Sequence, residues 1–224
     1  MAAGAVVLAA TLQSLHHLQQ RFWSQQATIL GNQDVRIGLE IMESEFRQVG
    51  TAGASQNAVL RAGPQTVEFT ANLASLETAL TEPVSPWQLD LSVADGKDWP
   101  KDKKVVVCAQ DRCAETKLAR NGRANRLVLT GALGQAFPAG SVVRVSNHVR
   151  YYLGTDQSGG TSLMRMVDGG ANPLIGNVRA FGLRYLDREG KITQDRARVA
   201  RIRIELAVGP RAPAVSREVG LRGR

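Results

Sequence analysis

The residues best suited to metal or redox chemistry in this chain are two cysteines and three histidines. Cys108 and Cys113 stand with four residues between them in the stretch VVVCAQDRCAETKL. Two thiolates do not complete a zinc site, which takes about four ligands, and His16, His17 and His148 show no matching ligand spacing. The cysteine spacing also differs from the C-x-x-C redox motif. The sequence therefore predicts neither a metal site nor a cofactor.

The two cysteines instead flank the tip of a predicted β-hairpin. An apolar run leads to Cys108, a short polar tip follows, and a second run begins at Cys113. A disulfide across such a tip is geometrically accessible and implies an oxidising compartment. We therefore predict a disulfide between Cys108 and Cys113, with two reduced thiols in a loop as the alternative.

No familiar catalytic motif is present. The chain lacks G-x-S-x-G, a Walker loop, H-E-x-x-H and G-x-G-x-x-G. His148 follows a strand-like run and could serve only as a lone base, so a hydrogen-bonded strand residue explains it better. Asp156 and Asp168 lie near glycines but outside the calcium-loop pattern, and turn formation accounts for them. We therefore predict that the protein is not an enzyme.

Composition indicates a globular, basic protein. Of 224 residues, 43% are hydrophobic and 21% charged, with a net charge of +8 and a sequence pI near 10.1. This charge permits binding to nucleic acid, an anionic membrane or an acidic protein without selecting among them. Many of the cations are arginines spread among strand-like residues rather than in one polybasic run, which disfavours specific DNA binding. They include Arg179, Arg184, Arg188, Arg196, Arg198, Arg201 and Arg203.

An amphipathic helix is predicted before Gly50. Its apolar residues are spaced alternately by four and three, the helical period, and lie on one narrow stripe. The stripe consists of Val35, Leu39, Met42, Phe46 and Val49. The charged residues fall on a different side, so the stripe is predicted to be the helix–sheet core. They are Arg36, Glu40, Glu43 and Arg47. Ile37 and Ile41 lie off the stripe and are either scattered surface residues or a second contact surface.

The segment upstream of this stripe is nearly uncharged. From Met1 to Gln33 the only formal charge is Arg21, and apolar residues recur at helical spacing. They are Leu8, Leu12, Leu15, Leu18, Phe22 and Ile29. We therefore predict one long helix over residues 1–50, roughly 70 Å in length. Residues 31–50 would pack on the sheet, whereas 1–30 would protrude and need a membrane or a partner to cover them.

Residues 51–224 are predicted to form a β-rich globular domain. Several stretches alternate polar and apolar residues, as RIRIEL does from Arg201, which is typical of half-buried antiparallel strands. Clusters of glycine, asparagine, aspartate and proline separate them. The predicted fold class is α+β, with one long N-terminal helix packed on antiparallel β-sheets.

The chain resembles the type IV pilin superfamily in the order of its segments. VRIGLEIMESEFRQVG is similar to the end of the long helix in PilW-like minor pilins and in the related J-type minor pseudopilins of type II secretion. VSNHVRYYLG, SLMRMVDGG, NPLIGNVRAFGLRYLD, VARIRIELAV and REVGLRG resemble the strand series of the same proteins. The likeness covers most of the chain and implies a pilin-like fold.

The resemblance also implies a function and a location in a bacterial cell. It implies a structural minor pilin that helps prime or cap a type IV pilus within a hetero-oligomeric tip complex of minor pilins. The protein would be anchored in the inner membrane by its N-terminal helix, with a periplasmic domain, before entering the pilus. A minor pseudopilin of type II secretion is the alternative, and a basic periplasmic DNA-binding module for DNA uptake is the alternative from another class.

The front of the chain departs from the family pattern. A basic leader, a cleavage glycine and a glutamate within the apolar segment are expected there, but MAAGAVVLAATL is similar only to the second half of that segment. We therefore expect an N-terminally truncated chain. Leader processing and N-methylation cannot be assigned to any of its residues.

Overall fold

A helix over residues 33–47 opens the part of the chain that this computed structural model describes. The described residues are 33–53, 58–110, 112–156, 159–210 and 213–222. The chain divides into two units, Met1–Glu40 and Ile41–Arg224. Gly50 follows the end of the helix by three residues and has a φ of 85°, a conformation that favours glycine. Its N–H donates to the Thr70 carbonyl at 3.0 Å, which ties the end of the helix to the strands that follow.

Fourteen strands follow in the described residues. In chain order they are β1 (Val59–Gly63), β2 (Thr66–Ala71), β3 (Glu77–Ala79), β4 (Asp90–Ser92), β5 (Lys104–Ala109), β6 (Arg112–Lys117), β7 (Arg126–Val128), β8 (Val142–Val145), β9 (Asn147–Thr155), β10 (Thr161–Val167), β11 (Gly170–Ile175), β12 (Val178–Leu186), β13 (Arg201–Val208) and β14 (Val215–Gly220). They form four antiparallel sheets, ordered β1-β2-β9-β10-β11, β12-β13-β14, β3-β8-β5-β6 and β4-β7. The 3₁₀ turn Arg196–Arg198 precedes β13.

The predicted α+β class with one long N-terminal helix is wrong for the structure described. The described chain is mainly β, and its one α-helix is the short helix over residues 33–47. The helical period of Val35–Val49 is clear. The prediction continued the helix upstream of it because the preceding residues are nearly uncharged, which is a weaker signal. Residues 1–32, on which the long helix rested, lie outside the described residues. Strands dominate after Gly50 because alternating patterns and turn residues fill that region.

Residues 72–146 form an inserted lobe between two paired strands. Ala71, the last residue of β2, pairs with Asn147, the first of β9. The chain therefore leaves the five-stranded sheet and returns to the neighbouring position. In between, β3–β8 build the four- and two-stranded sheets around a separate core. Its fully buried members include Leu91, Leu118, Leu127, Val105, Val107 and Val143.

The three-stranded sheet is attached at the turn between β1 and β2. The N–H of Leu183 in β12 donates to the Pro64 carbonyl at 2.8 Å. The Tyr185 hydroxyl lies 2.8 Å from the Gly63 carbonyl and 3.0 Å from that of Thr66. Two sheets of different strand order are thereby held together by hydrogen bonds to one turn.

Asp168, in the turn between β10 and β11, fastens the inserted lobe to the five-stranded sheet. Its carboxylate accepts hydrogen bonds from Lys103 Nζ at 2.7 Å, Asn147 Nδ2 at 2.9 Å and the His148 backbone N–H at 2.9 Å. Burial favours the neutral acid, but these three donors outweigh it and hold the pKa of Asp168 below its ordinary value. Lys103 belongs to the lobe, so the contact joins two separate cores.

Asp168→Asn should lower the free energy of unfolding by about 1 kcal/mol at pH 7, since the side chain is partly exposed. Asparagine tolerates the φ of 52° found here, so the backbone cost stays unchanged. A lowered folded-state pKa gives stability above the unfolded-state pKa, about 3.9, which is lost as the pH falls through the folded value. Denaturant unfolding should show the difference between the two proteins shrinking below about pH 4. A difference that stays constant on acidification would contradict this assignment.

Candidate functional site

A cavity of about 480 Å³ lies between the C-terminal part of the helix and the edge strand β11. One wall is helical, and the other comes from β10, β11 and the segment after β2. The lining residues are Ile41, Ser44, Glu45, Gln48, Leu73, Arg165, Asn172, Pro173 and Leu174. Apolar walls with a few polar groups are typical of binding pockets of this size.

Glu45 lines this cavity and is only 6% exposed. One carboxylate oxygen accepts hydrogen bonds from Arg165, from Nε at 2.9 Å and from Nη2. The other accepts the Tyr151 hydroxyl at 2.5 Å. A buried carboxylate needs such partners because an unpaired charge is costly away from water. The helix is thereby joined to β9 and β10 by an ion pair and a phenol.

The pKa values of Tyr151 and Arg165, the two partners of Glu45, are both raised. Burial raises the pKa of Tyr151 well above its ordinary value, and the neighbouring Glu45 charge and hydrogen bond add to the shift. The hydrogen bond to Glu45 is the main cause that raises the pKa of Arg165. At neutral pH Tyr151 is therefore a neutral donor and Arg165 a cation, the states that the geometry requires.

An aromatic cluster holds this part of the helix on the sheet. The Phe46 ring is fully buried and lies 5.6 Å from Phe69 and 5.6 Å from Tyr151, edge to face in both cases. Phe69 and Tyr151 are stacked at 6.4 Å. Such pairs are favourable beyond the area they bury. Glu45 and Phe46 are neighbours in sequence, so this packing also fixes the position of the Glu45 carboxylate.

A second cavity of about 640 Å³ adjoins the first, because Ser44 and Gln48 line both. The other lining residues of the second cavity are Arg47, Gly220 and Arg222. We refer to the two cavities together as the helix-end groove. Gln48 Oε1, between them, is buried without a hydrogen-bond partner among the described residues.

The predicted helix–sheet core residues are placed as follows. Leu39, Met42, Phe46 and Val49 are at most 3% exposed, whereas Val35 is half-buried. Val49 also forms an isolated antiparallel bridge with Ala71 of β2. Among the off-stripe residues, Ile37 is 55% exposed.

Cys108 and Cys113 form a disulfide between directly paired positions of β5 and β6. This bond lies in the inserted lobe, and neither cysteine lines the helix-end groove. Gly53 packs close by, since a Cβ built there would stand 3.6 Å from Cys108 Sγ. The disulfide therefore staples a hairpin that packs near the segment following the helix.

The predicted assembly and membrane residues lie outside the described residues. They are Leu8, Leu12, Leu15, Leu18, Phe22 and Ile29. Within the described ranges, no helix is both long and apolar enough to span a bilayer. The same ranges contain no cluster of three or more metal-ligating side chains.

Sequence reasoning missed the polar part of the groove. Glu45 follows Met42 by three residues and precedes Val49 by four, so it lies along the edge of the apolar stripe. A carboxylate at such a position signals a buried partner. Its partner Arg165 lies 120 residues away in sequence, however, and no local pattern connects the two.

No family model, curated protein or solved structure matches this chain.

Proposed function

We propose that this chain is a structural, non-enzymatic subunit, a minor pilin that helps prime or cap a type IV pilus through contacts with other minor pilins. The observation that supports it most is the packing of Met42 and Phe46 on the five-stranded antiparallel sheet. These residues lie in the same stretch, VRIGLEIMESEFRQVG, that carries the resemblance to minor pilins. The alternative form of the proposal is a minor pseudopilin, which would have the same structural role in the pseudopilus of a type II secretion system.

The charge pattern of the three-stranded sheet favours protein contacts over DNA. Arg201 and Arg203 both pair with Glu218, at 3.1 and 2.9 Å, and Arg184 pairs with Glu205 at 3.4 Å. These cations are therefore partly neutralised along the sheet, whereas a DNA-binding face needs guanidinium groups directed at phosphates.

The disulfide agrees with a periplasmic domain, because such bonds persist in oxidising compartments. The proposal assigns anchoring in the inner membrane, and later contact with neighbouring subunits, to residues 1–30.

Deletion of the gene in its own host, followed by complementation with the full-length gene including its leader, tests this function. Electron microscopy should show few or no pili in the deletion strain and restored pili after complementation. Loss of protein secretion with intact pili would instead assign the chain to a pseudopilus. Unchanged piliation and unchanged secretion would contradict both forms of the proposal. So would a deletion defect confined to DNA uptake, together with salt-sensitive DNA binding by the purified protein.

A further inference from the structure

We propose that the helix-end groove binds an acidic segment of a partner protein, with a carboxylate at Arg165 and an apolar side chain beside it. This inference deepens the proposed function and rests on it for its biological setting, since it names the chemistry of the partner subunit. The groove lies within the unit Ile41–Arg224, and all of its lining residues are among those described.

The charges that line the groove favour an anion. Three guanidinium groups, those of Arg47, Arg165 and Arg222, line it, against the single carboxylate of Glu45. Arg47 forms an ion pair with Glu43 at 3.1 Å. Arg222 forms no ion pair with the described residues. The local excess of positive charge attracts a carboxylate and repels a basic segment.

Arg165 has N–H donors that are not used by Glu45. A guanidinium carries five N–H groups, and Arg165 directs its Nε and Nη2 at one oxygen of Glu45. The side chain remains 30% exposed and lines the cavity, so its other N–H groups are open to a ligand. Because Glu45 already fixes the guanidinium plane, a second carboxylate would meet a preorganised donor.

The apolar walls argue for a protein segment rather than a free anion. Ile41 from the helix, Leu73 after β2 and Leu174 of β11 line the same cavity as Arg165. A nucleic acid backbone would gain little from these walls, whereas an acidic residue next to leucine or valine would use both features. The volume of about 480 Å³ suits a few side chains.

The edge strand β11 disfavours binding of a partner peptide as an additional strand of the sheet, the other common mode of peptide recognition. β11 is the last strand of its sheet, but it contains Pro173, which has no N–H to donate. Proline on an edge strand blocks the addition of a further strand. Recognition at this face must therefore rely on side chains, such as the Asn172 amide that lines the cavity.

Fluorescence anisotropy of a rhodamine-labelled peptide, Gly-Leu-Glu-Leu-Glu-Gly, with the full chain tests the proposal. We expect the glutamine counterpart of the peptide to bind about tenfold more weakly, because it loses the charge-assisted bond. Asn172→Phe fills the groove and should weaken binding of the glutamate peptide by a similar factor. Ala171→Phe is the matched control, since it adds the same ring at an exposed neighbour on the opposite face of β11.

Equal binding of the two peptides, equal effects of the two phenylalanine variants, or no binding at all would overturn the proposal. Displacement of the peptide by a ten-residue oligothymidine at equal concentration would overturn it as well, and would assign the groove to nucleic acid. Both variants must unfold at the same denaturant concentration as the parent chain, or Asn172→Ala replaces Asn172→Phe in the comparison. The deletion experiment is independent of this assay, so the two proposals can fail separately.

Discussion

Replacing Phe46 with alanine should lower the free energy of unfolding by about 3–5 kcal/mol, the cost of emptying a large buried site. The ring is fully buried and contacts Phe69 and Tyr151 edge to face. Alanine would therefore remove the apolar contact and leave a cavity between the helix and the five-stranded sheet. Urea unfolding of the full chain, followed by circular dichroism, measures the change.

Glu40→Ala serves as the control within the same helix. Its side chain is 63% exposed and, among the described residues, its one ion pair is with Arg36 one turn away, so the change should stay within about 0.5 kcal/mol. Glu43, which the sequence placed on the solvent side, is a poorer control, because Arg47 and Arg217 both approach its carboxylate. Equal losses from Phe46→Ala and Glu40→Ala would show that the helix is not anchored through this ring.

Arg165→Met should cost about 3 kcal/mol, because it leaves the Glu45 carboxylate buried with a single phenol as partner. The value lies at the low end for a broken buried pair because Arg165 is 30% exposed. Methionine keeps most of the side-chain volume, so the loss reports the missing charge rather than a cavity. Denaturant unfolding at pH 7 measures it.

Two compensating changes identify the cause of this loss. Combining Arg165→Met with Glu45→Leu and Tyr151→Phe removes every polar member of the network and should return the free energy of unfolding to within about 1–2 kcal/mol of the parent. A triple variant that is less stable than Arg165→Met alone would mean that packing, and not the unpaired carboxylate, sets the cost.

Local periodicity predicted those parts of the fold in which neighbours in sequence share one surface. The spacing of Met42, Phe46 and Val49 alone indicated a buried helical stripe, and all three are buried. The alternation in RIRIEL likewise indicated a half-buried strand, and Ile202 and Ile204 are buried in β13, which pairs antiparallel on both sides. Such patterns succeed because one face of each element must leave water.

Long-range pairing could not be predicted in this way. The inserted lobe exists because β2 pairs with β9 across 75 intervening residues, 72–146, and no local signal sets that register. The groove depends on the same pairing, since β9 and β10 bring Tyr151 and Arg165 to Glu45. The nearly uncharged pattern upstream of Val35 led to a different error. The prediction of one long N-terminal helix rested on that pattern, and the described structure contradicts the resulting α+β fold class.

Photo-crosslinking in the host cell tests most directly whether this chain acts through the helix-end groove in a pilus. Benzoylphenylalanine would be placed at Asn172, with the same residue at Ala171 as the control, and the crosslinked products identified by mass spectrometry. We predict that position 172 crosslinks to another subunit of the pilus through a segment rich in aspartate or glutamate, and that position 171 does not. Equal crosslinking from both positions, or no crosslink to a pilus subunit from position 172, would contradict the account.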